Sequence, residues 1–539
     1  MHIDPADGTL QAKVPIALPC RAIDVFFVAL LCVLCLSGLF QALKLGPDPD
    51  NLISVACTVV SSSLMLLYVW RSNALVTHPM SALALLGMTV TSQMASLLIQ
   101  TMDLNSFTRW LRAPVMTFSL LAMLHLVAIA THWAYRHLTS VQHFTEGVAR
   151  HVWSPLGILK VPPVHIIWLL SIIGFVSYVT GGGATGDVGG KFIAAAGFLM
   201  WLPFMIPFYQ QLQNGRYCQL SRHVPVIIAY ALLIAAVAIV RNFRQIMFIG
   251  PIQAMFVYLL YVARDDRLAT SKTVWRLVGS VVILAAGVWI VSDLVTAMSM
   301  MREKRDKSTP MEMLRGTAEA YMDKAGIQHA RDDRFLDALI NPYDETYLSN
   351  PALARFSETK FHDNMFFLSR DLSDAEVEVL AQAIWRHTLA TLPQNVLDML
   401  DIPLDKNQNM FSMGDVHLNL MTGSEMGSFV TGSLWADVYA LTGRFMPFVA
   451  AGLMLLTFIV LDSLTRLDMG HFISPATLCG TWPIFVYGMG GESLAFKASL
   501  LLRDIPQRAL LYALALALVS ATLGLFGLGR KPLSSAPQT

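Results

Sequence analysis

The chain has 539 residues, of which 55% are hydrophobic and only 14% are charged, and its mean hydropathy is +0.54. A soluble protein of this length carries about 25% charged residues, so the composition excludes a soluble globular fold. The net charge of +1, with no basic run, gives no sign of nucleic-acid binding.

Apolar runs of the length that crosses a bilayer, about 20 residues, recur along the chain. They predict an all-α polytopic membrane protein of about 12 transmembrane helices. The membrane domain comprises nine spans in residues 1–300 and three in residues 444–539, with a large polar insertion at 301–443 between the ninth and tenth spans. The predicted spans are 24–43, 52–70, 80–100, 114–134, 164–179, 191–212, 224–240, 243–263, 275–299, 445–463, 474–490 and 509–528.

The distribution of lysine and arginine predicts that the N-terminus lies inside the cell. Inner connections hold about 15 of these residues and the short outer segments about 9. The insertion then lies on the periplasmic side of a bacterial inner membrane. Positive charges on the outer side need a reason, and an anionic ligand is one. These exceptions are Arg241, Arg244, Lys497, Arg503 and Arg508.

Local signals predict that the insertion is a folded helical cap. Thr309 with Glu312, and Ser373 with Glu376, have the spacing of a capping box, in which each side chain satisfies a backbone N–H group of the other residue. A further short helix is predicted at 331–340, where Asn-Pro follows.

Arg241 and Arg244 fall at the outer boundary between two apolar runs. An arginine at the centre of a span costs about 2.5–3.5 kcal/mol, and residues three apart share one helical face. The arginine fork matches phosphate oxygens. We therefore interpret the two residues as a phosphate-binding site. The alternative is that they snorkel to the interface or lie in a plain short loop.

The segment 355–364 concentrates two cations, a histidine and two acids, with aromatic residues between them. It has no long apolar periodicity, so we predict a loop. Histidine ordinarily titrates near neutrality, so His362 is a candidate base, and Asp363 would orient its ring or act as the base itself. Arg355 and Lys360 are candidate substrate-binding cations. The alternative is a solvated loop with salt bridges.

A third candidate region runs from Lys406 to Ser433 and is rich in glycine and serine. Small residues let the backbone approach a ligand or another helix closely. His417, Glu425 and the following Arg444 are the candidate functional residues of this region. The alternative is that the glycines only permit tight packing where the chain re-enters the membrane.

The sequence contains neither a GxxxxGK[ST] nor an HExxH motif, and none of its six cysteines lies in the insertion. We predict no cofactor and no metal. Chemistry outside the membrane, where ATP and sugar nucleotides are not supplied, needs a preactivated substrate. A lipid-linked pyrophosphate sugar is such a substrate, and arginines stabilise the charge that develops on its leaving group.

This arrangement resembles the O-antigen and exopolysaccharide repeat-unit polymerases, the Wzy-type family. The resemblance rests on the many spans, the large late periplasmic segment and three regions of the chain. The regions are Arg241–Arg244, Arg355–Asp363 and Gly423–Gly443.

The resemblance implies a GT-C-type membrane glycosyltransferase that joins undecaprenyl-pyrophosphate-linked oligosaccharides into a polysaccharide, without a metal and with inversion. By this implication Arg241 and Arg244 hold the donor pyrophosphate, and Arg444 assists. The residue that deprotonates the acceptor hydroxyl is one of His362, Asp363 and Glu425. The implied partners are the lipid bilayer, a chain-length-regulating co-polymerase and a flippase.

Three alternatives stay open. A ligase that moves a finished glycan onto a lipid acceptor resembles this family closely. A 12-span transporter of an anionic solute would also use outer arginines, but such carriers have their long loop inside and between two six-span halves. A structural subunit of a polysaccharide machine would have no chemistry of its own.

Overall fold

The computed structural model describes residues 21–525 with internal gaps. Arg355, one of the candidate substrate-binding residues, falls in a gap and lies outside the described residues. The gaps are 160–161, 181–194, 208–219, 265–278, 280–286, 288–290, 305–307, 346, 349, 351–353, 355–356, 393, 407–410, 429, 467–471, 474 and 487.

The chain opens with four long apolar helices. Proline occupies the first turn of three of them, where its missing N–H costs no hydrogen bond. The third helix is the most enclosed of the four. In its most apolar stretch of 18 residues 83% are buried in protein, whereas the corresponding value for the first helix is 22%. These helices are α1 (Ala22–Leu45), α2 (Pro49–Arg71), α3 (Pro79–Met102) and α4 (Pro114–His137).

The described residues of the next part of the chain form two helices of about 20 residues and three shorter ones. A π-helical turn, Ala149–Trp153, continues the first of them, and a 3-10 helix, Ala196–Met205, packs along the second. The helices are α5 (Thr139–Val148), α6 (Val164–Thr180), α7 (Leu220–Val240), α8 (Ile246–Arg264) and α9 (Val291–Met300).

The insertion is helical, as predicted. Both capping boxes are present, at Thr309 with Glu312 and at Ser373 with Glu376. The helix predicted at 331–340 is longer and starts after the capping residue Asp323. The insertion helices are α10 (Pro310–Met322), α11 (Lys324–Ile340), α12 (Thr359–Ser369), α13 (Asp374–Ala390), α14 (Gln394–Met399) and α15 (Met413–Thr422).

The loop predicted at 355–364 is wrong for its second half, which forms the start of α12. Phe361, Met365, Phe366 and Leu368 of this helix are buried. Its polar residues are buried as well, so its sequence lacks the contrast between an apolar and a polar face that identifies a surface helix.

The last part of the chain returns to long apolar helices. A 3-10 turn joins the first two helices into one continuous segment, Leu434–Ser463, and a two-residue hairpin pairs Thr465–Arg466 with Phe472–Ile473. A break at 488–493 precedes the last helix. The helices are α16 (Leu434–Thr442), α17 (Met446–Ser463), α18 (Pro475–Val486) and α19 (Leu494–Leu525).

Among the described residues, eight helical segments are long and apolar enough to cross a membrane. The chain is therefore an all-α, multi-pass membrane protein. Two of the remaining predicted spans, 164–179 and 474–490, coincide with the shorter helices α6 and α18. The other two, 191–212 and 275–299, contain the 3-10 helix and most of α9, with residues outside the description around them.

The insertion and the membrane helices share one hydrophobic core. Met365 and Phe366 of α12 belong to the same buried cluster as the long helices. A smaller cluster joins Tyr347 and Leu348 of the insertion to Ile99 of α3. The insertion therefore places its own side chains along α3 instead of standing apart from the membrane domain.

Close packing at Gly414, in α15, gives a test of how this region is assembled. A Cβ there would overlap the backbone carbonyl of Val430, whereas a Cβ at the helical Gly452 would meet open space. Helix propensity favours alanine over glycine by about 0.5–1 kcal/mol. We expect Gly452→Ala to leave the apparent Tm in detergent unchanged or slightly raised, and Gly414→Ala to lower it. Equal effects of the two substitutions would contradict this packing.

Candidate active site

The site begins with the contact between the insertion and the middle of α3. Val90–Met94 form a π-helical turn, in which the backbone hydrogen bonds span five residues instead of four. This change of spacing leaves backbone carbonyl groups that can accept from other donors. The backbone N–H of Glu358 donates to the carbonyl of Thr91 (2.8 Å), and the hydroxyl of Thr359 donates to the carbonyl of Ser92 (2.7 Å). The N-terminal end of α12 is thus held against the middle of a span-length helix.

This contact buries Glu358 and His362 next to each other, and we call them the Glu358–His362 pair. Nε2 of His362 lies 3.8 Å from Oε2 of Glu358, and the two side chains are 1% and 2% exposed. Nδ1 of His362 is 2.7 Å from the hydroxyl of Ser433, and the hydroxyl of Thr91 donates to Oε2 of Glu358 (3.3 Å). Among the described residues, Nε2 of His362 and Oε1 of Glu358 have no hydrogen-bond partner.

Burial controls the protonation of the pair. It raises the pKa of Glu358 well above its usual value, although the charge of Lys497 and the hydrogen bond from Thr91 act in the opposite direction. Burial also lowers the pKa of His362 to about 3. A neutral imidazole beside a carboxyl group that retains its proton is an arrangement that can accept, hold and pass on one proton.

Lys497 and the break between α18 and α19 complete the surroundings of the pair. Lys497 is buried and donates to the carbonyl of Gly488 (3.5 Å). A Cβ at Gly488 would lie 3.2 Å from Oε2 of Glu358, so this backbone lies directly on the carboxyl group. Gly488 has a φ of 63°, in the left-handed region that favours glycine.

Asp363, the neighbour of His362, has a different position. Its Oδ2 accepts from the backbone N–H of Arg112 (2.6 Å), and its Oδ1 accepts from the N–H of Ala113 (2.9 Å) and the hydroxyl of Thr117 (3.1 Å). The residue before α4 is Ala113, whose methyl side chain cannot accept a hydrogen bond, and Asp363 supplies the acceptor from elsewhere in the chain. Asp363 therefore fastens the insertion to the start of α4.

Lys360 belongs to the same fastening. Its Nζ lies 3.8 Å from Oδ2 of Asp363 and donates to the carbonyl of Trp110. Burial lowers the pKa of Lys360 to about 8, and the charge of Asp363 opposes that change. Burial likewise raises the pKa of Asp363, and Lys360 with the hydrogen bonds opposes it. In this structure the two groups compensate each other.

His417 is also fully buried and engaged at both ring nitrogens. Nε2 lies 2.8 Å from Oδ1 of Asp437, and Nδ1 lies 3.2 Å from the hydroxyl of Ser369. The second oxygen of Asp437 accepts from the N–H of Leu494, at the start of α19 (2.8 Å). His417 thus joins α15, α12, α16 and α19, and leaves no ring nitrogen for a substrate in this conformation.

The other predicted residues lie on other elements of the chain. Arg241 donates to the carbonyl of Val179 and lies over the ring of Tyr178, at the end of α6. Arg244 follows in the connection between α7 and α8, where it is half-buried. The exposed residues Glu425 and Arg444 lie in the segment before α16 and in the turn after it.

An aromatic and cationic surface lies beside α12 and was not predicted from the sequence. The exposed guanidinium of Arg112 is 4.6 Å from the ring centre of Phe367 and 5.4 Å from that of Tyr343. Arg370 lies over the same Phe367 ring at 4.3 Å. Two cations therefore meet at the helix that carries His362.

A separate polar chain joins α2, α3, α4 and α17. Ser81 donates from its hydroxyl to Oδ2 of Asp462 (2.6 Å) and from its backbone N–H to Oδ1 (3.1 Å). The Ser81 hydroxyl is 2.9 Å from Nε2 of His132, whose Nδ1 is 2.7 Å from the hydroxyl of Tyr68. Because Ser81 donates to the carboxylate, His132 donates to Ser81 and accepts from Tyr68.

The sequence offered signals for some of these residues and none for others. Glu358 lies inside the segment singled out at 355–364, and its spacing of four from His362 places both on one side of a helix. Taking the segment as a loop hid that relationship. Arg112 and Asp437 are remote in sequence from their partners, and no local pattern identifies them.

Comparison with protein-family models, with curated proteins and with solved structures finds no match for the chain.

Asp363 provides a direct test of the fastening between the insertion and α4. Asp363→Ala leaves the buried Lys360 ammonium without its carboxylate, and breaking such a buried pair costs about 3–5 kcal/mol. We expect a large fall in the free energy of unfolding, measured in detergent by chemical denaturation. The exposed Asp371, changed in the same way, is the control, and its loss should stay below about 0.5 kcal/mol. A similar small loss for both variants would contradict the capping role.

Proposed function

We propose that this chain is a membrane glycosyltransferase that polymerises undecaprenyl-pyrophosphate-linked oligosaccharides at the periplasmic face of a bacterial inner membrane. In this proposal the chain has about twelve spans, and the insertion faces the periplasm. The observation that carries the proposal is the Glu358–His362 pair, which the insertion buries against the middle of a span-length helix.

A proton-accepting pair in this position suits a substrate that is half lipid and half sugar. Ionisable residues buried among membrane helices are costly, and they commonly serve function. The acceptor sugar presents a hydroxyl group that is a poor nucleophile until its proton is removed. The polyprenyl chain stays in the bilayer, so the reacting sugar has to meet its base close to the membrane domain.

The reaction is a single displacement. The acceptor hydroxyl oxygen forms a bond to the anomeric carbon of the donor, while the bond from that carbon to the pyrophosphate oxygen breaks with its electron pair. The hydroxyl proton passes to Glu358, ionised for the reaction, or to the free Nε2 of His362. The anomeric configuration inverts, and undecaprenyl pyrophosphate leaves with the negative charge.

Cations beside α12 would stabilise that leaving group. Arg112 and Arg370 both lie over Phe367, on the helix that carries His362. Phe367 and Tyr343 supply ring faces on which a sugar can stack. Arg241 and Arg244 remain the second candidate set for the pyrophosphate, at the connection between α7 and α8.

The pair is covered in this structure by the break at 488–493. Gly488 lies on the carboxyl of Glu358, and the backbone of Ser433 pairs with the same break at Gly491 and Glu492. In this proposal the acceptor hydroxyl reaches the pair when the break moves away from α3.

The experiment is an elongation assay with the purified full-length chain in nanodiscs. The substrate is undecaprenyl-pyrophosphate-linked oligosaccharide extracted from the source cells, and no nucleotide is added. We expect a ladder of longer glycans from the wild type. Glu358→Gln and His362→Gln should each lower its rate about 100-fold or more, the range of general acid–base catalysis.

Glu425→Gln is the matched control, because Glu425 is an exposed carboxylate of the same insertion. Its rate should stay near that of the wild type. Loss of the ladder in Glu425→Gln, with both pair variants active, would move the base to Glu425. Addition of one finished glycan to a lipid A core acceptor, without a ladder, would identify a ligase. No transfer to either acceptor would contradict the glycosyltransferase proposal.

A carrier for an anionic solute is the second candidate function. It is favoured by the chain of Tyr68, His132, Ser81 and Asp462, which connects four span-length helices and involves no residue of the insertion. Such a chain is typical of proton relays in transporters. Proton-driven solute uptake into proteoliposomes, lost in Asp462→Asn, with no glycan transfer, would favour the carrier.

A further inference from the structure

The C-terminal half of α11 exposes a continuous apolar surface. Phe335, Leu336, Leu339 and Ile340 are all exposed, Ile340 to 80%. Their spacing places Phe335 beside Leu339 and Leu336 beside Ile340 on adjoining rows of one helical side. The helical period of about 3.6 residues per turn places Asp337 outside that side. Four large apolar side chains left in water would be costly, because each is worth about 1.5–3 kcal/mol on full burial.

The apolar end of α11 lies level with the end of a span-length helix. The ring of Phe335 meets the ring of Trp110 edge to face, with centres 5.3 Å apart. Trp110 belongs to the connection between α3 and α4, which follows the exposed Met102 at the end of α3 and includes the exposed Leu104. The apolar surface of α11 therefore meets, at Trp110, the connection that follows the apolar end of α3.

Residues typical of a membrane interface surround this surface. Trp110 carries the guanidinium of Arg109 over its ring at 5.1 Å. Tryptophan and arginine concentrate where spans leave the hydrocarbon, because their apolar parts enter the lipid and their polar parts reach water and phosphate. The combination fits the boundary between headgroups and acyl chains better than the surface of a water-soluble partner.

Ion pairs hold α11 in this position. Nζ of Lys324 lies 2.7 Å from Oδ2 of Asp293, in α9, and the guanidinium of Arg331 lies 2.7 Å from Oδ1 of the same carboxylate. The same Arg331 donates to the hydroxyl of Ser292 (2.9 Å). The polar half of the helix is thus fixed to the membrane domain, and the apolar half projects from it beside Trp110.

We propose that the C-terminal half of α11 is an interfacial membrane-binding element, with Phe335, Leu336, Leu339 and Ile340 inserted in the lipid leaflet on the side of the connection between α3 and α4. The occupant of this surface is phospholipid. The element fixes the insertion to the bilayer surface independently of what reaction the chain catalyses.

The test uses a nitroxide label at Ile340→Cys in the full-length chain, in nanodiscs, with the six native cysteines replaced by alanine. Val379→Cys is the matched control, since Val379 is an exposed apolar residue of α13 in the same insertion. We expect the label at 340 to be several-fold more accessible to oxygen than to a water-soluble nickel chelate. The label at 379 should show the reverse.

Free access of the nickel chelate to both labels would overturn the proposal, since the surface would then face water. Exclusion of both oxygen and nickel at 340 would also overturn it and would indicate a protein partner or a second copy. The wild-type chain provides an independent measurement in nanodiscs that contain a photoactivatable phospholipid. Lipid adducts should map to the segment 332–347 and not to 374–390, and the opposite distribution would contradict the proposal.

Discussion

The architecture depends on the burial of the first turn of α12 against the middle of α3. The π-helical turn of α3 offers the carbonyl groups of Thr91 and Ser92, and the insertion supplies the donors at Glu358 and Thr359. This contact places a carboxyl group and an imidazole in surroundings with almost no water. The protonation of both groups follows from that burial, and the proposed chemistry follows from their protonation.

Hydrogen bonds between the insertion and the membrane helices offset the free-energy cost of burying these groups. Asp363 takes up the backbone N–H groups at the start of α4, and His417 joins four helices through Asp437 and Ser369. Two histidines of similar burial thus have opposite roles. Both nitrogens of His417 are engaged, whereas His362 keeps Nε2 without a hydrogen-bond partner among the described residues.

Local patterns in the sequence predicted what local interactions determine. The capping boxes at Thr309 and Ser373 were predictable because donor and acceptor lie three residues apart. The role of Asp363 was not predictable, because its partner Arg112 lies 251 residues away and the adjacent His362 made Asp363 resemble a base. Long apolar runs predicted the membrane fold, but run length alone did not distinguish span-length helices from the shorter α6 and α18.

The pH dependence of glycan elongation tests the central claim most directly. Burial raises the pKa of Glu358 well above its ordinary value, and a base works only in its deprotonated form. The wild-type rate should therefore fall as the pH is lowered through that raised pKa. The midpoint of the fall should lie well above the usual glutamate pKa of about 4.3. In Glu358→Gln the residual rate should lose this dependence. A Glu358→Gln variant with the full rate and the same acidic limb would contradict the account.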